Sequence, residues 1–428
     1  MPILPLITRF VIVLLAFTVA ATGLQQASAA QPASSSIAYY VAPNGSDSKN
    51  GLTPAAAFRT IQRAVDLAQP GDTINLAPGS YLQDLLSRRN GAASARITIT
   101  GPADAVVKGA GNDRVIQINH DHMTLSGFTL DGLHGGSGSS RPYRDKLLFV
   151  QGSEPRSGVE GLKVLGMSIR NAGGECVRLR YFVRAAELSD NTIGPCGQDD
   201  YPNGVWDGGD KNGEGIYIGT APEQLTDGKN PTADPDASRD NWVHDNRFNT
   251  QGNECVDIKE AATNNLVERN SCTGQKDSES GGFDSRGSGN IFRYNETFGN
   301  LGAGIRLGGD TPTDGINNEV TLNIIRDNAR GGIKFQAAPQ GAVCGNTMSN
   351  NATGNAAGTF GEQFNPTAPC GNVSTRTPSR SATPRVTETT GTTATSGTSA
   401  TATRTVKPTR TAKPTRTAKP TRTPTPGR

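Results

Sequence analysis

Aromatic residues are scarce, at 5% of 428 residues with only two tryptophans, which excludes a core built mainly on packed rings. The four histidines form no cluster, so an imidazole-rich metal centre is excluded. His120 and His122 are close together, but their alternation assigns them to a solvent face. No Cys-x-x-Cys occurs, which excludes a zinc ribbon or a dithiol redox motif. Long apolar runs are also missing, with one exception. Phe10–Ala21 follows Arg9 and precedes the small-residue site Ala27-Ser28-Ala29, so residues 1–30 read as a secretory signal peptide. That run is too short for a membrane anchor and no second one is long enough. The expectation is a secreted or cell-surface associated protein with no transmembrane segment.

A basic body is missing too. Residues 31–375 hold 30 Lys/Arg against 38 Asp/Glu, whereas the stretch from Arg376 onward holds 11 Lys/Arg against the single acid Glu388. The body is acidic, which argues against nucleic acid as a partner. Residues 372–428 are rich in Thr, Pro, Lys and Arg and repeat T-A-K-P-T-R, with too little apolar content for a core. They read as a disordered tail able to contact anionic cell-wall polymers. The six cysteines, Cys176, Cys196, Cys255, Cys272, Cys344 and Cys370, fit an oxidising compartment. Six cysteines allow 15 connectivities, of which the sequence-local one (176–196, 255–272, 344–370) is expected.

What the chain has in abundance is glycine, 52 residues, and one recurring strand. Glu254–Lys259 is E-C-V-D-I-K, alternating apolar and polar. Glu175–Arg180, Glu214–Gly219, Gly281–Arg286, Ala303–Gly308 and Gly331–Gln336 have the same form. An apolar-x-x-Asn-x-apolar motif follows each, carrying Asn191, Asn246, Asn270, Asn295, Asn323 and Asn346. The period is one solenoid coil, about 20–28 residues. A recurring corner Asn has a physical purpose: its amide can bond to those above and below as a ladder. Upstream, strands are expected at Tyr39–Val41, Thr73–Leu76, Ile97–Ile99, Val115–Ile118, Met123–Leu130 and Leu147–Val150. Phe58, Ile61, Val65 and Ala68 mark one face of a helix that Pro70-Gly71 stops.

The opening Y-Y-V-A-P-N-G-S-D-S-K-N-G-L-T-P, with F-R-T-I-Q-R-A-V-D-L-A-Q-P-G-D-T-I-N-L-A-P-G-S-Y after it, resembles the start of secreted right-handed parallel β-helix, or pectin-lyase-like, proteins. The resemblance implies an all-β, right-handed single-stranded parallel β-helix over residues 31–371. The helix would cap its N-terminal end, since an uncovered rung offers unpaired strand edges.

If the six strands stack in register about 4.8 Å apart, their third and fifth positions face the core and the fourth and sixth face outward. The fourth column is then Arg178, Tyr217, Asp257, Asp284, Arg306, Lys334, and the sixth is Arg180, Gly219, Lys259, Arg286, Gly308, Gln336. Asp257 neighbours Asp284, Lys259 neighbours Arg286, and Glu214 neighbours Glu254. Like charges this close call for a compensating ligand. Insertions at 194–213 and 220–240 flank the coil of Glu214, where solenoids commonly build a binding face, and the first holds Tyr201 and Trp206.

Glu254-x4-Lys259, followed by G-G-F-D-S-R-G with Arg286, is similar to calcium-dependent polysaccharide lyases of the alginate lyase and chondroitinase B type. The resemblance implies that Glu254 ligates calcium, Lys259 is the base and Arg286 assists. The second acidic ligand of that family falls on Gly252 here, so Glu214 and Asp257 are the candidates to complete the set. The expected activity is β-elimination on an acidic, uronate-containing polysaccharide by a monomer. Arg306 would assist the departing oxygen. Asp284, Lys334, Tyr217, Tyr201 and Trp206 would bind substrate. Two other readings stand beside it. One is a polygalacturonase-like hydrolase using Asp257 and Asp284; the other is a non-catalytic glycan-binding or structural β-helix.

Overall fold

A computed structural model describes residues 36–134, 142–208 and 211–371. The proposed signal peptide and tail lie outside these described residues.

Three parallel sheets carry the described chain, with eleven, ten and ten strands. Each coil contributes one strand to each sheet, and successive coils stack in register. The six hexapeptides occupy consecutive places in one ten-stranded sheet, which runs from Leu85–Leu86 to Ala356–Ala357. Val177 pairs with Ile216, Ile216 with Val256, Val256 with Phe283, Phe283 with Ile305 and Ile305 with Ile333. Apolar side chains thus pile on apolar side chains along the axis, and the core is one continuous column closed by the three sheets. Ser285 interrupts its column at no cost in unsatisfied polarity. Its buried hydroxyl donates to the Gly287 carbonyl at 2.9 Å.

The corners are where the chain turns without β-hairpins. The expected Asn ladder is present: Asn191, Asn246, Asn270, Asn295 and Asn323 each donate Nδ2 to the Oδ1 of the next, ending at Asn346, at 2.9 or 3.0 Å. Two further ladders run through Asn241, Asn265 and Asn290 and through Asn300, Asn328 and Asn351. The residue before each Asn of the first ladder's middle coils turns left-handed, at φ 53–59° for Arg269, Tyr294 and Leu322. Such a conformation costs about 1–2 kcal/mol for an L-residue, and the ladder bonds offset it.

The helix spans Ile61–Leu67, shorter than its apolar spacing suggested. Thr60 caps it by accepting from the Arg63 amide, and Pro70 biases the preceding backbone away from the helical region. Phe58 lies before the helix in extended backbone that bridges Val41, yet it still packs into the same buried cluster. The expected strand over Met123–Leu130 is two strands, Met123–Ser126 and Thr129–Asp131. They belong to different sheets, and Gly127 at φ 80° makes the corner between them.

Disulfides join Cys176 to Cys196, Cys255 to Cys272 and Cys344 to Cys370. The first two tie the backbone beside a hexapeptide strand to the neighbouring sheet of its coil.

Candidate active site

The fourth-column side chains point away from the core, as strand alternation requires. Asp257 pairs in register with Asp284 and with Tyr217, and Asp284 with Arg306. Their surroundings differ from an open solvent face. Asp257 is 1% exposed and Lys259 8%. Both insertions lean over this sheet: Lys211 and Asn212 from the first, and Glu223 and Gln224 from the second, line a cavity of about 350 Å³ with the hexapeptide residues. At its floor and walls stand Glu214, Glu254, Asp257, Lys259, Arg286 and Arg306.

Three carboxylates converge there. Oxygen atoms of Glu214, Glu254 and Asp257 lie within 4.8 Å of one another, and all three residues are buried. Glu254 Oε2 and Asp257 Oδ1 have no hydrogen-bond partner, while the other Glu254 oxygen contacts Ser280 Oγ. Burial, reinforced by Glu175 and Asp257, pushes the Glu214 carboxyl up to about 7. Burial with Asp257 and Glu214 pushes Glu254 well above the usual carboxylate range. Hard oxygen donors at this spacing, two of them unsatisfied, fit a divalent cation such as calcium. Asp257 and Glu214 therefore stand beside Glu254, with Gly252 contributing no side chain.

Lys259 Nζ is 2.6 Å from Asp257 Oδ2 and 4.5 Å from the centroid of the Tyr217 ring. The Arg178 guanidinium lies 3.5 Å from the same ring. Burial alone would lower the ammonium's pKa, but Asp257 and Tyr217 outweigh it and raise the value well above the ordinary lysine range. The expectation that Arg286 would lower it is corrected: Arg286 acts in that direction, and the adjacent carboxylate is closer and stronger. Arg286 reaches Glu260 at 3.5 Å and Asp310 at 3.3 Å.

Two expected substrate contacts are corrected. Asp284 is 0% exposed; both of its oxygens are bound by Arg306, at 2.8 and 3.1 Å, and Ser280 Oγ lies 3.0 Å from one of them. A carboxylate so enclosed meets no sugar, which also removes Asp284 from a two-carboxylate hydrolytic pair. Tyr201, within the first insertion, is 0% exposed, so its ring is no stacking platform. Trp206 is 47% exposed with the Lys211 ammonium 4.9 Å from its ring centroid. Tyr217 and Lys334 do line the cavity. The Lys334 ammonium donates to the Glu279 carbonyl at 2.9 Å.

Several participants were not singled out from sequence. Ser280 joins Glu254 to Asp284, and its only signal is its place one residue before the fourth hexapeptide. Behind the site, Lys146 reaches Glu175 at 2.7 Å and Glu175 reaches Arg178 at 2.5 Å. Burial would raise the Glu175 carboxyl, but these two cations outweigh it and hold it at about 2.

Residues 210–366 match a family model described as a right-handed β-helix region. This is a right-handed parallel β-helix protein. Residues 43–206 match a second family, described as a protein of unknown function (DUF1565). An alginate lyase from Paenibacillus sp. str. FPU-7 superposes with a TM-score of 0.53 at 20% identity, covering 69% of this β-helix chain and 96% of that one. The pectate lyase Pel9A gives 0.52 at 14% identity, covering 76% and 79%. Likeness at these identities establishes the shared fold. A curated relative, the uncharacterized protein YwoF of Bacillus subtilis (strain 168), is 26% identical over 167 residues, which is 36% of this chain. The match spans 35% of that relative's length.

Proposed function

We propose that the protein is a secreted polysaccharide lyase that cleaves a uronate-containing glycan by β-elimination. The observation that carries this reading is the cavity itself, whose lining brings together one buried lysine, a three-carboxylate cluster and the cations Arg286 and Arg306. A uronate lyase must offset the substrate carboxylate's charge, remove the proton beside it and stabilise the departing oxygen.

In this reading Arg286 and Lys334 receive the substrate carboxylate. Lys259, as the free amine, takes the C5 proton; the electron pair forms the C4–C5 double bond as the C4–O bond breaks. Arg306 or Arg286 stabilises the charge on the leaving oxygen, which takes a proton from water. Glu214, Glu254 and Asp257 would hold calcium, which supplies positive charge that acidifies the proton beside the substrate carboxylate. The Asp257 contact keeps Lys259 protonated, so its base form requires the negative charge around it to be offset. The rate therefore increases with pH across the alkaline range, as the fraction of free amine grows.

The test uses purified protein with alginate, polygalacturonate and chondroitin, with and without calcium, following ultraviolet absorbance of the new double bond. Lys259→Ala is expected to lower turnover at least a thousandfold with the circular dichroism spectrum unchanged. Absence of the double-bond signal on every uronic polymer would sink the proposal. The near-complete burial of Lys259 favours a second reading, a glycan-binding β-helix without catalysis. Saturable binding with no turnover would select it.

A further inference from the structure

The cavity at Lys259 runs across the strands. Its lining takes side chains from five consecutive hexapeptides, from Tyr217 through Asp257, Arg286 and Arg306 to Lys334, which spans roughly 19 Å at the inter-strand spacing. A glycan threaded through it would have to leave past both ends, and the two ends are built differently.

Beyond Tyr217 the next two strands of the sheet are Val177–Arg180 and Lys146–Gln151. Their outward side chains, Arg178 and Arg180 in register with Phe149 and Gln151, point away from the core yet are only 1–7% exposed. The second insertion covers them. Arg178 donates to Gln224 Oε1 at 2.7 Å. Arg180 donates Nη2 to both oxygens of Asp227, at 2.9 and 3.0 Å, and Nε to Asn230 Oδ1 at 2.6 Å. The Gln151 amide donates to the Lys229 carbonyl. Where the insertion returns, the Asp236 carboxylate accepts from the backbone N–H groups of Tyr181 and Phe182, at 2.6 and 2.7 Å. Charge-assisted bonds shielded from water hold this strap down. A cavity of about 580 Å³ at the sheet's first strands lies beyond the strap and shares no lining residue with the cavity at Lys259. Beside the strand starts, Asn212 stands between the Lys259 cavity and one of about 380 Å³. Its backbone N–H and its side chain are both fixed on Asp200 Oδ2, at 2.8 and 3.1 Å.

At the opposite end Arg306, Lys334 and Gln336 are partly exposed. The contact across the cavity there is one hydrogen bond, from the Lys334 ammonium to the Glu279 carbonyl at 2.9 Å, and an ammonium on a flexible stem gives way to a ligand at little cost. Glu279 and Lys334 also line the next cavity, of about 520 Å³, toward the sheet's last strands. Lys259 lies on the strand paired with that of Tyr217, one inter-strand spacing from the closed end. Resting on the lyase reading, we infer that the protein works from a chain end. The terminal sugars of the glycan seat against Tyr217 and Gln224, the rest of the polymer leaves over Arg306 and Lys334, and each cleavage releases one short piece. The strap of the second insertion, anchored by Arg180, sets this specificity for chain ends.

Viscometry and size-exclusion chromatography of alginate, polygalacturonate and chondroitin digests test this. With the polymer that is cleaved, a single short product is expected from the first turnovers, with viscosity nearly unchanged while the double-bond absorbance develops. An early ladder of product sizes with a collapse in viscosity would overturn the inference. Arg180→Ala, and replacement of residues 222–234 by a short glycine-serine linker, should each broaden the products and increase the viscosity lost per double bond at least threefold. A linker variant that folds and still releases the single short product would also overturn it. Calorimetry with Lys259→Ala and oligomers of the same three polymers, at two chain lengths, separates the two claims. One protein bound per chain at both lengths, without cleavage by the wild type, supports seating of the chain end while the lyase reading falls. Stoichiometry that grows with chain length, or no binding of any oligomer, overturns the inference.

Discussion

Three buried carboxylates beside one lysine make the site a store of unfavourable charge. Burial first, then Glu175 and Asp257, hold the Glu214 carboxyl at about 7, above the ordinary 4.5. Its native form keeps a proton that the unfolded chain releases between about pH 4.5 and 7. Glu214's contribution to stability is therefore full below that window, declines as pH rises through it and stays lost above it. Glu214→Gln removes this dependence. In thermal melts the two proteins should match near pH 4.5, with the variant melting higher above pH 7; parallel pH profiles would refute the assignment. Calcium is expected to raise the wild-type midpoint above pH 7, since a ligand of the native state stabilises it. The same addition to Glu254→Gln/Asp257→Asn should produce no shift, and an equal shift would place any calcium site elsewhere. The outward positions of Asp257 and Lys259 were legible in the sequence because strand alternation is strictly two-residue. The protonation of the site was not, because it depends on the two insertions that exclude water.

At the scale of the element, the unit is the coil and its corner. Asn270 donates to Asn295 Oδ1 and to the carbonyls of Val243 and Glu268, and accepts from the amide and side chain of Asn246. Asn270→Ala leaves several buried groups without partners, at a cost of roughly 2–4 kcal/mol. Urea denaturation should show that loss, and a change within about 0.5 kcal/mol would mean that the ladder carries little. The first ladder was readable because its spacing from flanking apolar residues repeats. The ladders through Asn241 and Asn300 were not, because the apolar-x-x-Asn-x-apolar frame is incomplete around most of their members. Met123–Leu130 was read as one strand for a related reason. A sharp corner at one glycine does not interrupt the apolar pattern that marks both strands.

Across the whole molecule, one continuous apolar column and three parallel sheets carry the fold, and the Cys255–Cys272 disulfide ties two sheets together beside the site. Cys255 follows the ligand candidate Glu254 directly, and its bridge to Cys272 closes 17 residues of chain. Losing such a loop constraint costs about 3 kcal/mol. Cys255→Ser/Cys272→Ser should lower the thermal midpoint and weaken any calcium-dependent shift, because Glu254 loses the anchor beside it. An unchanged calcium response with a lowered midpoint would show that the bridge serves the fold alone.

Local periodicity determined the solenoid, the register of the six strands and the identity of each outward column. Each of these follows from a repeat that any single coil already displays. The tertiary structure alone decided which members of a column reach the cavity. Asp284 and Asp257 are neighbours of the same residue type, yet Arg306 encloses one while the other keeps an oxygen without a partner. That difference arises from contacts between coils and from the insertions folded over them, and neither leaves a periodic trace in the chain.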